Sequence, residues 1–303
     1  ELMLEFLNTQ NIPYRLEGKI VVDENLEKID SLYERSKSLE MTGVEILKNS
    51  ALTDKEPNSK ILQGLFVPQA GVVDYKAVTE KMAAVFKENN GEIDYFQEIV
   101  DIADGQDSKL VSSKKETFRG DFLINCAGLF SDKISKLDGL NPKVKIIPFR
   151  GEYYEIVNEK SHLLNNMIYP IADPNLPFLG IHLTKTIDGR IEVGPNAVLA
   201  FSREGYSWGN FNLVQTIETL TYKGMLRLGS KYFKTGIDEM YRSLNKAAFV
   251  KEVNKLLPGI QKEDLLPRPA GVRAQAVSET GELLDDFLFE EGTQSLHVLN
   301  APS

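Results

Sequence analysis

Strand-like and helix-like segments alternate along residues 66–140 of this 303-residue chain, and their order excludes an all-helical or an all-strand fold. Residues 62–74 predict a strand, a turn and a second strand. Residues 75–91 have helical periodicity and end in Asn-Asn-Gly, which is typical of a helix stop. Strands follow at 92–105 and at the apolar run 122–126. This order is that of a nucleotide-binding fold with an inserted strand meander.

From residue 144 the pattern changes to strands separated by glycine turns. A helical block follows over 211–257, and strands return at 270–299. We therefore predict an α/β chain, in the α+β sense of two different domains. One is a discontinuous Rossmann-like nucleotide-binding domain, and the other is a substrate domain built on a large mixed or antiparallel sheet with helices. The predicted boundaries are 66–143 with 270–303 for the first, and 14–65 with 144–269 for the second.

Charge and composition exclude several classes of function. The net charge of −9 argues against a nucleic-acid partner. No apolar run reaches the roughly 18 residues of a transmembrane segment. The one cysteine, Cys126, excludes an intrachain disulfide and a cysteine metal cluster, so no metal site is predicted. A cytoplasmic location is expected. Peripheral contact at the inner membrane is an open alternative, although no basic amphipathic helix is evident.

The stretch FLINCAGLFSDKI, residues 122–134, predicts an apolar strand, a turn of small residues and a helix. Ser131 and Asp132 are candidates to cap that helix. A turn of this kind suits a phosphate or the edge of an electron-rich ring. It is equally typical of a tight strand-to-helix turn without a ligand, and the turn alone favours that second interpretation.

Four polar side chains lie in segments that otherwise resemble half-buried strands: Arg150, Tyr169, His182 and Arg273. A lone histidine of this kind is more often a satisfied core residue than a catalytic one. A lone arginine is more often a solvated surface charge. Where the flanking residues are apolar or small, as around Arg273, burial is expected, and a buried guanidinium prefers a planar anion such as a carboxylate.

Longer motifs resolve this ambiguity. The stretches NCAGLFSDKI, PFLGIHLT, GPNAVLAF, PAGVRAQ and LHVLNAPS are spread over nearly the whole length. Through them the chain resembles the L-2-hydroxyglutarate dehydrogenase/oxidase family, within the FAD-dependent D-amino-acid-oxidase-like superfamily. In such proteins a strand, a Gly-x-Gly-x-x-Gly turn and a helix come first, and a helix follows the last motif. The chain contains neither, so we interpret it as a fragment, or as a sequence with its ends missing.

The resemblance implies FAD as the cofactor and assigns residues to it. Ile99 would meet the adenine through its backbone, the small-residue turn would pass close to the cofactor, and the last residues would approach the flavin ring. The implied cofactor-binding residues are Ile99, Cys126, Ala127, Gly128, Leu129, Asn300, Ala301, Pro302 and Ser303.

The resemblance also implies the reaction, which is oxidation of L-2-hydroxyglutarate to 2-oxoglutarate by hydride transfer to FAD. Arg273 would hold the α-carboxylate with two parallel hydrogen bonds. His182 would accept the hydroxyl proton, and Tyr169 would donate a hydrogen bond to the substrate. Arg150 would pair with the second carboxylate, or with a protein acid such as Glu152.

Two other interpretations stay open. One is a related FAD oxidoreductase acting on another small acid, on glycerol 3-phosphate or on an amino acid. The other, of a different class, is a non-catalytic fragment or binding module without the FAD motif. The electron acceptor is equally open between oxygen, a quinone and an electron-transfer protein.

Overall fold

The computed structural model describes residues 2–171 and 180–301. The chain divides into two compact units. Unit 1 comprises Glu1–Ile93, Glu152–Asn196 and Met240–Pro269. Unit 2 comprises Asp94–Gly151, Ala197–Glu239 and Ala270–Ser303.

The strands of the described residues are short, each two to eight residues long. They are β1 Tyr14–Arg15, β2 Lys19–Val22, β3 Glu45–Lys48, β4 Gln63–Val67, β5 Val72–Val73, β6 Ile99–Gly105, β7 Ser108–Ser113, β8 Thr117–Gly120, β9 Leu123–Asn125, β10 Val144–Gly151, β11 Tyr154–Ile156, β12 Met167–Pro170, β13 His182–Lys185, β14 Ile191–Gly194, β15 Val198–Leu199, β16 Leu265–Pro267, β17 Gly271–Ser278, β18 Leu288–Gly292 and β19 Ser295–Asn300.

The helices of the same residues are α1 Leu2–Thr9, α2 Leu26–Ser38, α3 Ser50–Lys55, α4 Tyr75–Glu88, α5 Ser131–Leu137, α6 Leu213–Leu220, α7 Lys223–Leu244 and α8 Lys246–Leu256. Short 3-10 turns lie at Gly128–Phe130, Asn158–Leu163 and Lys262–Asp264.

Unit 1 is built on an eight-stranded mixed sheet in the order β16-β11-β14-β13-β12-β2-β4-β3. The neighbours β12 and β2 run parallel, and the other neighbouring pairs run antiparallel. One face of the sheet is the hydrophobic core, where Ile20, Ile168 and Leu183 pack with Phe249 and Val253 of α8. These five side chains are almost completely shielded from water, which makes this face the main apolar burial of the unit.

The opposite face of this sheet is polar. Side chains alternate between the two faces of a strand, so the residues that flank the core positions point the other way. We call this surface the polar face, and it carries Lys19, Tyr169, His182, Thr184 and Glu192. Helix α2 packs against β3 and β4, at one end of the sheet.

Unit 2 contains three small sheets, in the orders β15-β10-β17, β18-β19-β9 and β6-β7-β8. The strands β19 and β9 run parallel, with Ser295 opposite Leu123 and His297 opposite Asn125. Parallel strands place their carboxyl ends at the same edge of a sheet, and the predicted cofactor turn follows β9 at that edge.

The predicted mixed fold of helix and sheet is confirmed. The predictions for single helices and strands were confirmed in part. Helix α4 begins where Asp74 accepts hydrogen bonds from the amides of Lys76 and Ala77, as its sequence favours. The strand expected over 92–105 forms only from Ile99. The helical block predicted over 211–257 forms α6, α7 and α8, and α7 has a kink at Tyr232.

The boundaries of the compact units differ from those predicted for the domains. Residues 66–93 belong to unit 1, whereas 144–151 and 197–239 belong to unit 2. Strand β10 joins unit 2 because it pairs along its whole length with β17, a long-range pairing that no local pattern reveals. The assignment of FAD to one domain and substrate to the other stays a prediction.

Candidate active site

Tyr169 and His182, both predicted site residues, lie together on the polar face of unit 1. They come from the neighbouring strands β12 and β13, and their rings stack with centroids 4.1 Å apart and planes inclined by 23°. The Tyr169 hydroxyl is 2.8 Å from the Thr184 hydroxyl. Burial raises the pKa of Tyr169, so this phenol stays protonated at neutral pH and can donate a hydrogen bond.

The local contacts of His182 favour one tautomer of its imidazole. Its Nδ1 lies 3.2 Å from the carbonyl oxygen of Gly180, so Nδ1–H donates there and Nε2 keeps a free lone pair. Burial, together with the nearby positive charge of Lys19, lowers the pKa of His182 to about 4. The imidazole is therefore neutral at neutral pH, as a proton acceptor must be.

The two predicted arginines lie on the paired strands β10 and β17 of unit 2, but they point to opposite faces. Arg150 is opposite Val272, and Arg273 is opposite Phe149, so the alternation of side chains separates the two guanidinium groups. Arg150 is 1% exposed, and its guanidinium carbon lies 4.3 Å from the centre of the Trp208 ring. The two arginines therefore do not form one carboxylate-binding pair.

Arg273 is half-buried. Within residues 2–171 and 180–301 its guanidinium makes no hydrogen bond and no ion pair. Burial lowers the pKa of Arg273 from its ordinary value, and the carboxylate of Asp285 opposes that change. Arginine nevertheless stays protonated. A desolvated cation of this kind favours an incoming anion.

The small-residue turn that follows β9 is exposed. Gly128 has φ of +52°, and no atom lies within 4 Å of the position that a Cβ would take. Cys126 and Ala127 precede it with little cover. Asn125 stabilises the turn, because its Oδ1 accepts a hydrogen bond of 3.0 Å from the Ala127 amide. The open space and the bare backbone fit the edge of a flat ring such as that of FAD.

A buried network of hydrogen bonds orients Asn125, and it has no signal in the sequence. The Asn125 amide nitrogen donates to the Ser131 carbonyl at 2.8 Å and lies 2.9 Å from Nδ1 of His297. Nε2 of His297 lies 3.0 Å from the carboxylate of Asp138. Lys109 completes the network by pairing with Asp138 at 2.6 Å. We call these groups the turn network.

Arg203 is a second residue that sequence reasoning missed. It is buried with Asp132, and its Nη2 donates to Asp132 Oδ2 at 2.8 Å. Arg203 also donates to the carbonyl of Leu129, inside the candidate cofactor turn. The expected capping roles are wrong: α5 has Phe130 at its N-cap with no side-chain cap, and Asp132 binds Arg203 instead.

The remaining predicted cofactor residues are placed as follows. Ile99 begins β6, where the register slips between Ile99 and Asp101 and leaves an extra residue in the strand. Asn300 ends β19, and its side-chain amide donates to the carbonyls of Leu284 and Asp286. Ala301 follows it directly and is exposed. The remaining two, Pro302 and Ser303, lie outside the described residues.

A family model described as DAO, FAD dependent oxidoreductase, matches residues 1–302. The L-2-hydroxyglutarate dehydrogenase of Indibacter alkaliphilus is 43% identical over 305 residues, which cover 99% of this chain and 76% of that protein. The enzyme of the same name from Escherichia coli strain K12 is 41% identical, with coverage of 98% and 71%. The mitochondrial enzyme of Mus musculus is 38% identical, with coverage of 100% and 69%.

Solved structures share the fold. The dithionite-reduced L-α-glycerophosphate oxidase from Mycoplasma pneumoniae, with FAD bound, superposes with a TM-score of 0.73 at 17% identity, over 98% of this chain and 72% of that one. The L-proline dehydrogenase from P. horikoshii superposes with a TM-score of 0.67 at 12% identity, over 98% and 71%.

Proposed function

This chain belongs to the DAO family of FAD-dependent oxidoreductases, and we propose that its substrate is L-2-hydroxyglutarate, which it oxidises to 2-oxoglutarate. The structural observation that carries the proposal is the half-buried guanidinium of Arg273, which has no anionic partner within the described part of the chain. A hydroxyacid brings that partner as its α-carboxylate.

The oxidation removes a hydride from C2 and a proton from the C2 hydroxyl, and a carbonyl forms between C2 and its oxygen. Bound FAD supplies the acceptor for the hydride. Nε2 of His182 accepts the hydroxyl proton, because the Nδ1 contact with Gly180 leaves it unprotonated. Tyr169 donates a hydrogen bond to the substrate, and Arg273 fixes the carboxylate and thereby the direction of the C2–H bond. Because Arg150 faces away from Arg273, we assign it no contact with the α-carboxylate.

The proposal is tested by mixing the FAD-loaded protein anaerobically with candidate substrates and recording the flavin absorbance at about 450 nm. L-2-hydroxyglutarate should bleach this band and yield 2-oxoglutarate, whereas its D-enantiomer should not. Bleaching by glycerol 3-phosphate or an amino acid instead would identify another branch of the family. A protein that binds no flavin at all would support the non-catalytic interpretation.

The same proposal includes peripheral contact with an anionic membrane surface, through helix α7. No helix in the described ranges has both the length and the apolar character needed to cross a membrane. Yet α7, which has a kink at Tyr232, exposes Leu226 by 59% before the kink and Phe233 by 69% and Ile237 by 51% after it. Phe233 and Ile237 are four residues apart and share one side of the second part of the helix. The helix also carries the basic residues Lys223, Arg227, Lys231 and Lys234.

This local positive charge contrasts with the net charge of −9 and favours anionic lipid as the partner. A membrane contact in turn favours a quinone over oxygen or a soluble protein as electron acceptor. Flotation with vesicles that contain phosphatidylglycerol should retain the protein, and vesicles of phosphatidylcholine alone should not. The double variant Phe233→Ser, Ile237→Ser should lose the binding. Equal retention by both vesicles, or by neither, would contradict the membrane contact.

A further inference from the structure

Lys19 is a charged residue of the polar face that the predicted reaction does not use. It opens β2, the strand beside β12, and its Nζ lies 5.5 Å from the centre of the Tyr169 ring. Tyr169 in turn stacks on His182. The ammonium therefore lies one aromatic ring away from the candidate base.

The other charges of this face are paired. Arg268 binds Glu192 at 3.1 Å, and Arg190 binds Glu155 at 2.7 Å. Lys19 differs from them, because among residues 2–171 and 180–301 its ammonium has no hydrogen-bond or ion-pair partner. The polar face thus has neutralised charges at one end and an uncompensated positive charge beside Tyr169.

Lys19 is half-buried as a residue, and an ammonium without a counter-ion in the protein gains free energy when an anion arrives. The charge of Lys19 reaches the active-site histidine, since it contributes to the lowered pKa of His182. A ligand that places its reacting hydroxyl at His182 and carries a second negative charge would meet Lys19 on the far side of Tyr169.

We propose that Lys19 binds the C5 carboxylate of the substrate and so selects a dicarboxylic hydroxyacid. This inference rests on the proposed function, and it names the residue that would make the protein prefer a diacid over a monoacid. Two methylene groups separate C2 from the C5 carboxylate, and in this proposal the C2 hydroxyl contacts His182 while the C5 carboxylate contacts Lys19. We therefore assign the contact with the second carboxylate, first expected of Arg150, to Lys19, which is a residue of the polar face.

The test compares Lys19→Met, Lys19→Arg and the control Lys48→Met, an exposed lysine of the same sheet at its edge strand β3. Two substrates are used, L-2-hydroxyglutarate and L-2-hydroxypentanoate, which has a methyl group in place of the second carboxylate. Lys19→Met should raise the KM for the diacid by about ten- to a hundred-fold, with little change in kcat. The KM for the monoacid should not rise. Lys19→Arg should restore most of the diacid preference, and Lys48→Met should behave as wild type.

Calorimetric binding of glutarate and of pentanoate separates this inference from the proposed reaction, because neither acid is oxidised. A selective loss of glutarate binding in Lys19→Met supports the role of Lys19 even if L-2-hydroxyglutarate proves not to be the substrate. An equal loss for both acids would show a structural role and overturn the proposal, as would unchanged glutarate binding.

Discussion

The turn network of unit 2 and the polar face of unit 1 differ in how their polar groups are partnered. In the turn network, Asn125, His297 and Asp138 satisfy one another, and His297 is completely buried. On the polar face, Lys19 has no hydrogen-bond or ion-pair partner within the described residues, and Nε2 of His182 is free to accept a proton. Polar groups that partner one another stabilise one backbone conformation, whereas polar groups without a protein partner can form favourable contacts with a ligand.

This comparison predicts which variants lose stability and which lose only activity. Buried groups that partner each other leave an unpaired charge behind when one is removed, and that costs free energy of folding. Replacing a group whose partner is a ligand should change the free energy of folding little, because no hydrogen bond or ion pair within the protein is lost.

The largest effect is expected for Arg203→Met. It leaves the buried carboxylate of Asp132 without its partner and removes the hydrogen bond to Leu129. The free energy of unfolding should fall by about 3–5 kcal/mol, and FAD content should fall with it. Urea denaturation and the flavin-to-protein absorbance ratio measure both.

Two controls sharpen this prediction. The double variant Arg203→Met, Asp132→Leu should recover part of the stability, because no buried charge is left. Lys255→Met breaks only an exposed ion pair with Glu252 and should change stability by less than about 0.5 kcal/mol. Wild-type stability of Arg203→Met would show that the buried Arg203–Asp132 pair does not stabilise the candidate cofactor turn.

His182→Ala should act on the reaction rather than on the fold. Loss of the proton acceptor should lower kcat by about 10²–10⁴-fold with a smaller effect on KM. The wild-type rate should fall as the imidazole is protonated, near its pKa of about 4, and this acidic limb should be absent in the variant. Stopped-flow flavin reduction across pH measures both, and a variant with an unchanged acidic limb would exclude His182 as the base.

Arg273→Lys should lower kcat/KM for L-2-hydroxyglutarate by about ten- to a hundred-fold, since a point charge replaces a two-bond contact. Stability should be nearly unchanged. Steady-state kinetics with matched FAD occupancy are the measurement. If kcat/KM instead stayed at the wild-type value, Arg273 would not be the α-carboxylate partner.

The smallest effect concerns stability in acid. The folded pKa of His182, about 4, lies below its ordinary value of 6.5, so the unfolded chain binds this proton more readily. The contribution of His182 to the free energy of unfolding is complete above pH 6.5 and is lost as the pH falls towards 4. Because the ring keeps some contact with water, we expect about 1–2 kcal/mol. Denaturation of wild type and His182→Asn at several pH values should show a shallower acid dependence in the variant.

Local signals in the sequence predicted what depends on neighbours along the chain. The Asn-Asn-Gly end of α4 is of this kind, as is the small-residue turn after β9. Arg203 was missed because its partner Asp132 lies 71 residues away, and nothing near Arg203 marks it as buried. Lys19 was missed for the same reason, since its neighbour Tyr169 joins it only through the pairing of β2 with β12.

That parallel pairing also bears on how the chain reaches its fold. Strand β2 finds β4 early in synthesis, but its other neighbour, β12, begins only at Met167. Until then one side of β2 is an unpaired strand edge, which is a template for association with other chains. Pairings so distant in sequence form slowly. We therefore expect nascent chains that end before β12 to aggregate, and the polar face to be among the last parts of unit 1 to form.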